Sequence, residues 1–168
     1  KKYEIGKPKT LKQIIADKLV FSKWREALGG EIFTLVSGSA ALSVSLNKKF
    51  QAAGIPILEG YGLTETSPVI AVSSFERMKP GSVGHPLDNL DVKIAEDGEI
   101  LVKGPSVMKG YYKNPEQTKE AFTEDGYFKT GDIGFIDEEG FLIITDRKKE
   151  MFKTSGGKYV APQIIENK

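Results

Sequence analysis

The chain has 168 residues, 39% of them apolar and 28% charged, with a net charge of +1, which is the make-up of a globular protein able to form its own core. That near-neutral balance argues against a global field that would recruit nucleic acid. The absence of cysteine excludes a thiolate nucleophile, a disulfide framework and a Cys-ligated metal, and with His85 as the single histidine a His-rich metal site is excluded as well.

Lys1, Lys2, Lys7 and Lys9 are not followed by an unbroken apolar core, so they read as a solvated face rather than a signal peptide. Leu11, Ile14, Ile15 and Leu19 carry helical spacing, and a second stretch around Trp24, Ala27 and Leu28 stops at Gly29-Gly30. The run from Glu31 to Val36 predicts a strand, Ala41 to Ala53 a helix closed by Gly54, and Ile55 to Glu59 a buried strand ending in Gly60-Tyr61-Gly62. Two apolar strands joined by a helix imply a parallel pair, and ligands collect at the carboxyl ends of such strands. Ser37-Gly38-Ser39-Ala40 and Tyr61 to Thr66 both fall there.

From about Gly81 the pattern turns to short strands and turns. Asp91 to Ala95 and Glu99 to Val102 flank Glu96-Asp97-Gly98, and Ile133 to Ile136 and Phe141 to Thr145 flank Asp137-Glu-Glu-Gly140, which predicts two hairpins. Asn114-Pro115-Glu116 predicts a helix start, with Asn as the cap, running to about Phe122. The fold class is therefore α/β over 1–80 followed by a β-rich part over 81–148. No apolar run approaches a membrane helix; without a targeting signal the default expectation is cytoplasmic, with peripheral membrane contact left open.

Thr64 beside Glu65, on a loop leaving a strand, offers a hydroxyl and a carboxylate to a phosphate and Mg²⁺, which favours hard oxygen ligands; taken alone, the pair reads more simply as a polar turn with a capping residue. Tyr61, between Gly60 and Gly62, can stack on a purine or serve as a core tyrosine. Gly38, Ser39 and Ala40 are small enough for main chain to approach a flat ring, and they also suit an ordinary strand-to-helix turn. Asp132 in Thr130-Gly-Asp suits the two hydroxyls of a ribose or a plain turn at a strand start. Arg147 can fork onto ribose and phosphate oxygens or form a surface ion pair. Lys153-Thr-Ser-Gly-Gly-Lys158 is not a P-loop, because the earlier glycine is missing and Tyr159 follows the lysine. His85, before Pro86, reads as a turn residue.

In fixed order, Ser37-Gly-Ser-Ala-Ala-Leu42, Tyr61-Gly-Leu-Thr-Glu-Thr66, Gly81-Ser-Val-Gly84, Gly104 to Tyr112, Tyr127-Phe-Lys-Thr-Gly-Asp132 and Asp146-Arg-Lys-Lys-Glu-Met-Phe-Lys-Thr-Ser-Gly-Gly157 make nearly the whole chain resemble the adenylate-forming superfamily of acyl-CoA synthetases, adenylation domains and luciferases. The stretch from Lys153 to Pro162, with Ile164-Ile-Glu-Asn167, is most similar to long-chain fatty acid CoA ligases. The resemblance implies that a fatty acid attacks the α-phosphate of Mg-ATP, that pyrophosphate leaves, and that the thiol of CoA then displaces AMP. It places Gly38, Ser39, Ala40, Tyr61 and Gly62 around the adenine, Thr64 on phosphate, Glu65 on Mg²⁺, Asp132 on the ribose hydroxyls and Arg147 on ribose. Lys149 matches the hinge between the large and small domains; Lys153 and Gly156 would serve the second step, Gly156 beside the CoA pantetheine.

The superfamily's loop for the outer phosphates and its C-terminal adenylation lysine have no counterpart here. The resemblance thus implies a fragment: residues 1–148 from the end of the large AMP-binding domain and 149–168 from the start of the lid, inactive in isolation. A ligase for aryl acids, one loading a carrier protein, or a non-catalytic nucleotide-binding module are the competing readings.

Overall fold

The structure, a computed structural model, describes residues 10–148 and the backbone of two short strands at 152–153 and 159–160. A helical rod opens it: α1 (Leu11–Ala16), a π-helical turn (Asp17–Phe21) and α2 (Ser22–Ala27). It ends where predicted, because Gly29 and Gly30 take φ of 90° and 80°, a conformation that costs glycine little. The spaced apolar residues form a helix but not a buried face: Leu11 is 73% and Leu19 62% exposed. What ties the rod down is Trp24, whose ring meets Phe50 at 5.6 Å, and Arg25, which donates to the Ala53 carbonyl at 2.6 Å.

The first sheet runs β1 (Leu35–Ser37), β2 (Ile57–Gly62), β3 (Val69–Val72), β4 (His85–Pro86) in that spatial order. The expected parallel pair is present, with Leu35 opposite Ile57 and Ser37 opposite Glu59, and α3 (Val44–Ala52) makes the crossover. Three boundaries differ from the sequence reading. The first strand is only three residues long, since Glu31–Thr34 finds no strand partner and Phe33 is 73% exposed. The helix starts at Val44 rather than Ala41, because Ser39 adopts φ 66° and Ser43, with ψ 125°, is not helical. The second strand continues through Tyr61 to Gly62 and pairs with β3, Tyr61 lying opposite Ala71.

The second sheet is an antiparallel meander of β5 (Asp91–Ile94), β6 (Glu99–Lys103), β7 (Phe128–Ile136) and β8 (Leu142–Arg147). Both predicted hairpins form. Between β6 and β7, α4 (Pro115–Ala121) is capped as expected, the Asn114 side chain accepting the Gln117 N–H at 3.1 Å. Asp132 is not at a strand start, as the sequence suggested, but in the middle of the nine-residue β7. A register break opposite β6 lets the strand pass through Gly131, whose φ is 75°, without ending.

The two sheets share one interior. Ile70 of β3 packs with Leu90, Val102 and Phe128, and Ala71 packs with Ile100 and Leu142; Tyr61 touches both groups. Each fully buried aliphatic side chain contributes about 1.5–3 kcal/mol, so the seam is a core rather than a loose domain contact. Residues β9 (Phe152–Lys153) and β10 (Tyr159–Val160) form an antiparallel pair. No helix among the described residues is long and apolar enough to cross a membrane.

Candidate functional site

A cavity of about 490 Å³ opens along the seam between the two sheets. Its walls are the last residue of β1 (37) and the turn after it (39–42), the end of β2 (59–62), the segment 81–83, Asp132 of β7, and Ile144, Asp146 and Arg147 of β8. Six predicted site residues meet there: Ser39, Ala40, Tyr61, Gly62, Asp132 and Arg147. Gly38 lies against the floor, where an added Cβ would stand 3.4 Å from the Gly60 carbonyl oxygen.

Asp132 is the hub. Its Oδ2 accepts the Tyr61 hydroxyl at 2.7 Å across 71 residues of sequence, and its Oδ1 accepts Arg147 Nε at 3.2 Å. Arg147 comes directly opposite Asp132 because β7 and β8 pair in that register. Burial, with the Asp132 charge adding to it, pushes the Tyr61 hydroxyl well above the ordinary tyrosine range, so it remains a donor at all relevant pH. Asp132 is 5% exposed, whereas the Arg147 side chain is 60% exposed and can swing toward a ligand.

Two acidic groups in the walls escaped the sequence reading. Glu59 is buried; its Oε1 accepts Asn47 Nδ2 of α3 at 2.7 Å. Burial raises its pKa, while Asn47 and the Gly81 N–H pull it back. Asp146 is 1% exposed: Oδ1 accepts the Arg147 N–H at 2.6 Å, and Oδ2 has no hydrogen-bond partner among the described residues. The signal for Glu59 was available, since a charge inside an apolar buried strand is rare without a purpose. Asp146 stood in the motif that opens with it, beside Arg147, without a role of its own.

Thr64 and Glu65 are not part of the cavity wall. They form a short 3₁₀ turn (Thr64–Thr66) just beyond Gly62. The chain can turn there only with glycine at 62, where a Cβ would lie 1.7 Å from the Pro68 carbonyl oxygen. Buried Thr66 closes the turn, accepting the Leu63 N–H at 3.1 Å and donating to the Pro68 carbonyl at 2.7 Å. Thr64 is exposed and Glu65 half-buried. Glu65 is gripped from the side: its carbonyl accepts the Met108 N–H at 2.7 Å and its Oε1 the Tyr111 hydroxyl at 2.9 Å. Burial first, and then the Glu65 contact, raises the Tyr111 pKa. Lys149 and Gly156 lie outside the described residues, and so does the side chain of Lys153.

The cavity therefore presents carboxylate acceptors, main chain of small residues and one largely exposed guanidinium, a set suited to a flat polar ligand rich in hydroxyls. The pattern of the AMP-binding enzyme family matches residues 5–112. The long-chain-fatty-acid–CoA ligase FadD15 of Mycobacterium bovis is 51% identical over 156 residues, covering 93% of this chain and 26% of its own. The peroxisomal long chain acyl-CoA synthetase 7 of Arabidopsis thaliana is 42% identical, with 90% and 24% covered. Among solved structures, o-succinylbenzoate CoA synthetase of Bacillus subtilis in complex with ATP and magnesium ion superposes with a TM-score of 0.71 at 33% identity, over 86% of this chain and 34% of that one. The chain spans about a quarter of the length of the curated relatives it matches. By the match across residues 5–112, the chain belongs to the AMP-binding enzyme family.

Proposed function

We propose that the chain is part of an AMP-forming fatty acyl-CoA synthetase, an ATP-dependent acid–thiol ligase acting on long-chain acids. The observation that carries this reading is the Tyr61–Asp132–Arg147 cluster in the wall of the seam cavity. The same motifs in fixed order, and relatives bearing long-chain ligase names, support it.

In this reading AMP lies along the seam. Gly38, Ser39 and Ala40 flank the adenine, the Tyr61 ring packs on it next to Gly62, Asp132 accepts from the ribose hydroxyls, and Arg147 turns from Asp132 to the ribose. Thr64 then reaches phosphate oxygen. Glu65 fits a magnesium site of the usual protein kind, since Oε1 is held by Tyr111 while Oε2 takes no hydrogen bond among the described residues, and Mg²⁺ normally takes one or two carboxylates plus phosphate and water. When bound, the ion would supply charge neutralisation at the phosphates. The fatty acid carboxylate attacks the α-phosphorus and pyrophosphate departs; CoA thiol then attacks the acyl carbon and AMP departs. Both nucleophiles come from substrates, so the chain's work is positioning and electrostatics. The proposed domain division puts 1–148 in the large AMP-binding domain and 149–168 in the lid, with Lys149 as hinge and Lys153 and Gly156 acting with CoA; these roles rest on resemblance.

The test is an acid panel with the full-length protein, following ATP-dependent thioester formation. Long-chain acids should be turned over well, with short and aryl acids far slower. Preference for an aryl acid, or transfer to a carrier protein in place of CoA, would overturn the substrate assignment. Absence of any acid-stimulated AMP release would overturn the reaction.

A further inference from the structure

We infer that Tyr111 is a positioning residue that orients the Glu65 carboxylate, locking one oxygen so that the other faces a divalent cation. The inference deepens the proposed role of Glu65 and rests on it. One loop holds Glu65 twice: the Met108 N–H donates to its carbonyl at 2.7 Å, and the Tyr111 hydroxyl donates to Oε1 at 2.9 Å. Main chain and side chain are thus fixed from the same direction, which leaves the carboxylate little freedom to rotate.

The loop is itself braced. The Tyr111 N–H donates to Thr118 Oγ1 at 2.8 Å, and that hydroxyl donates to the Asn114 carbonyl at 2.8 Å, so Tyr111 is bolted to the first turn of α4. Gly110 lets the loop lie flat on the helix, since a Cβ there would come within 2.6 Å of Thr118 Cγ2. On the far side, the Thr66 hydroxyl closes the turn carrying Glu65. A carboxylate presented through a three-link chain to a capped helix is costly to build for a surface turn. It is the arrangement by which partners of a ligand set its direction and basicity, and loss of such a partner typically weakens metal binding or activity 10- to 100-fold. Because Mg²⁺ would draw most of its ligands from phosphate and water, the effect here belongs at the lower end.

The experiment uses the full-length protein with Tyr111→Phe, Thr118→Val and Glu65→Gln. Mn²⁺ binding is titrated by electron paramagnetic resonance in the presence of a non-hydrolysable α,β-methylene ATP analogue. In parallel, the Mg²⁺ concentration for half-maximal ATP–pyrophosphate exchange and the melting temperature are measured. Tyr111→Phe should weaken Mn²⁺ about 10-fold and raise the Mg²⁺ requirement to match, with the melting temperature near wild type. Thr118→Val should act in the same direction with a smaller shift, and it decides the matter if Tyr111→Phe does not fold. Glu65→Gln should weaken Mn²⁺ most. Wild-type Mn²⁺ affinity in both Tyr111→Phe and Thr118→Val, with Glu65→Gln impaired, overturns the positioning role and leaves the Glu65 assignment standing. Wild-type affinity in Glu65→Gln removes the metal role itself, and the inference with it.

Discussion

Asp132 holds both of its neighbours by hydrogen bonds whose acceptor is charged, and such bonds are worth about 1.5–3 kcal/mol each. Asp132→Asn preserves volume and removes the charge. It should lower kcat/KM for ATP by roughly 10- to 150-fold, the factor that one such bond represents. Steady-state kinetics of the full-length protein with ATP varied checks this; an unchanged kcat/KM would take Asp132 out of the nucleotide site. In the sequence Tyr61, Asp132 and Arg147 are each unremarkable, because a tyrosine between glycines and an Asp in a turn have ordinary uses. Their order and spacing made them candidates, while their shared hydrogen bonds needed coordinates. Glu59 carried a local signal, a charge inside an apolar strand, whereas the burial of Asp146 in the cavity wall was set by how β8 sits against the first sheet.

The elements that could be read in advance were those with local punctuation. Asn114-Pro115 starts α4 because the Asn caps it and Pro needs no donor at the first turn, and Glu96-Asp97-Gly98 turns the β5–β6 hairpin. Elements whose limits depend on a partner were misjudged, β1 being cut short for want of a neighbour and β7 being extended through Gly131 by β6. Beyond the end of β8, Lys148 is clamped to that first hairpin, with Nζ 2.6 Å from Asp97 Oδ2 and 2.7 Å from Glu99 Oε2. The Lys148 bond, then the Glu99 N–H, lowers the pKa of Asp97 below its ordinary 3.8. A lowered carboxylate pKa stabilises the fold above the unfolded value and loses that contribution as pH falls through the folded one. Lys148→Met should therefore melt below wild type at neutral pH, with the gap closing as pH drops below 3.8. The pH-dependent share from Asp97 will be small, because Lys148 and Asp97 are 43% and 54% exposed. A gap independent of pH would assign the effect to packing. Leu142, fully buried where the second sheet meets Ala71 of the first, is a stronger lever. Leu142→Ala should cost about 2–5 kcal/mol, read as a lower urea midpoint of the full-length protein.

At the level of the whole molecule, the seam is what makes a site. The sheet β1–β4 contributes the small-residue turn, Glu59 and Tyr61; the sheet β5–β8 contributes Asp132, Asp146 and Arg147, and neither sheet encloses the cavity alone. The chain matches about a quarter of its relatives' length, and Leu11, Leu19, Phe33 and Val36 are each exposed over most of their surface. The isolated 168-residue chain should accordingly show no ATP–pyrophosphate exchange, and parent-like rates in that assay would refute the expectation. From residues alone one could derive the α/β-then-β succession, the capped helix, both hairpins and the chemical roles on offer, since periodicity, turn residues and side-chain type are local properties. The folded chain was needed to bring Tyr61 within 2.7 Å of Asp132, to separate Glu65 from the cavity wall and to hand it to Tyr111. Those outcomes depend on strand register and on two sheets burying one another's apolar faces, and no stretch of sequence carries that information by itself.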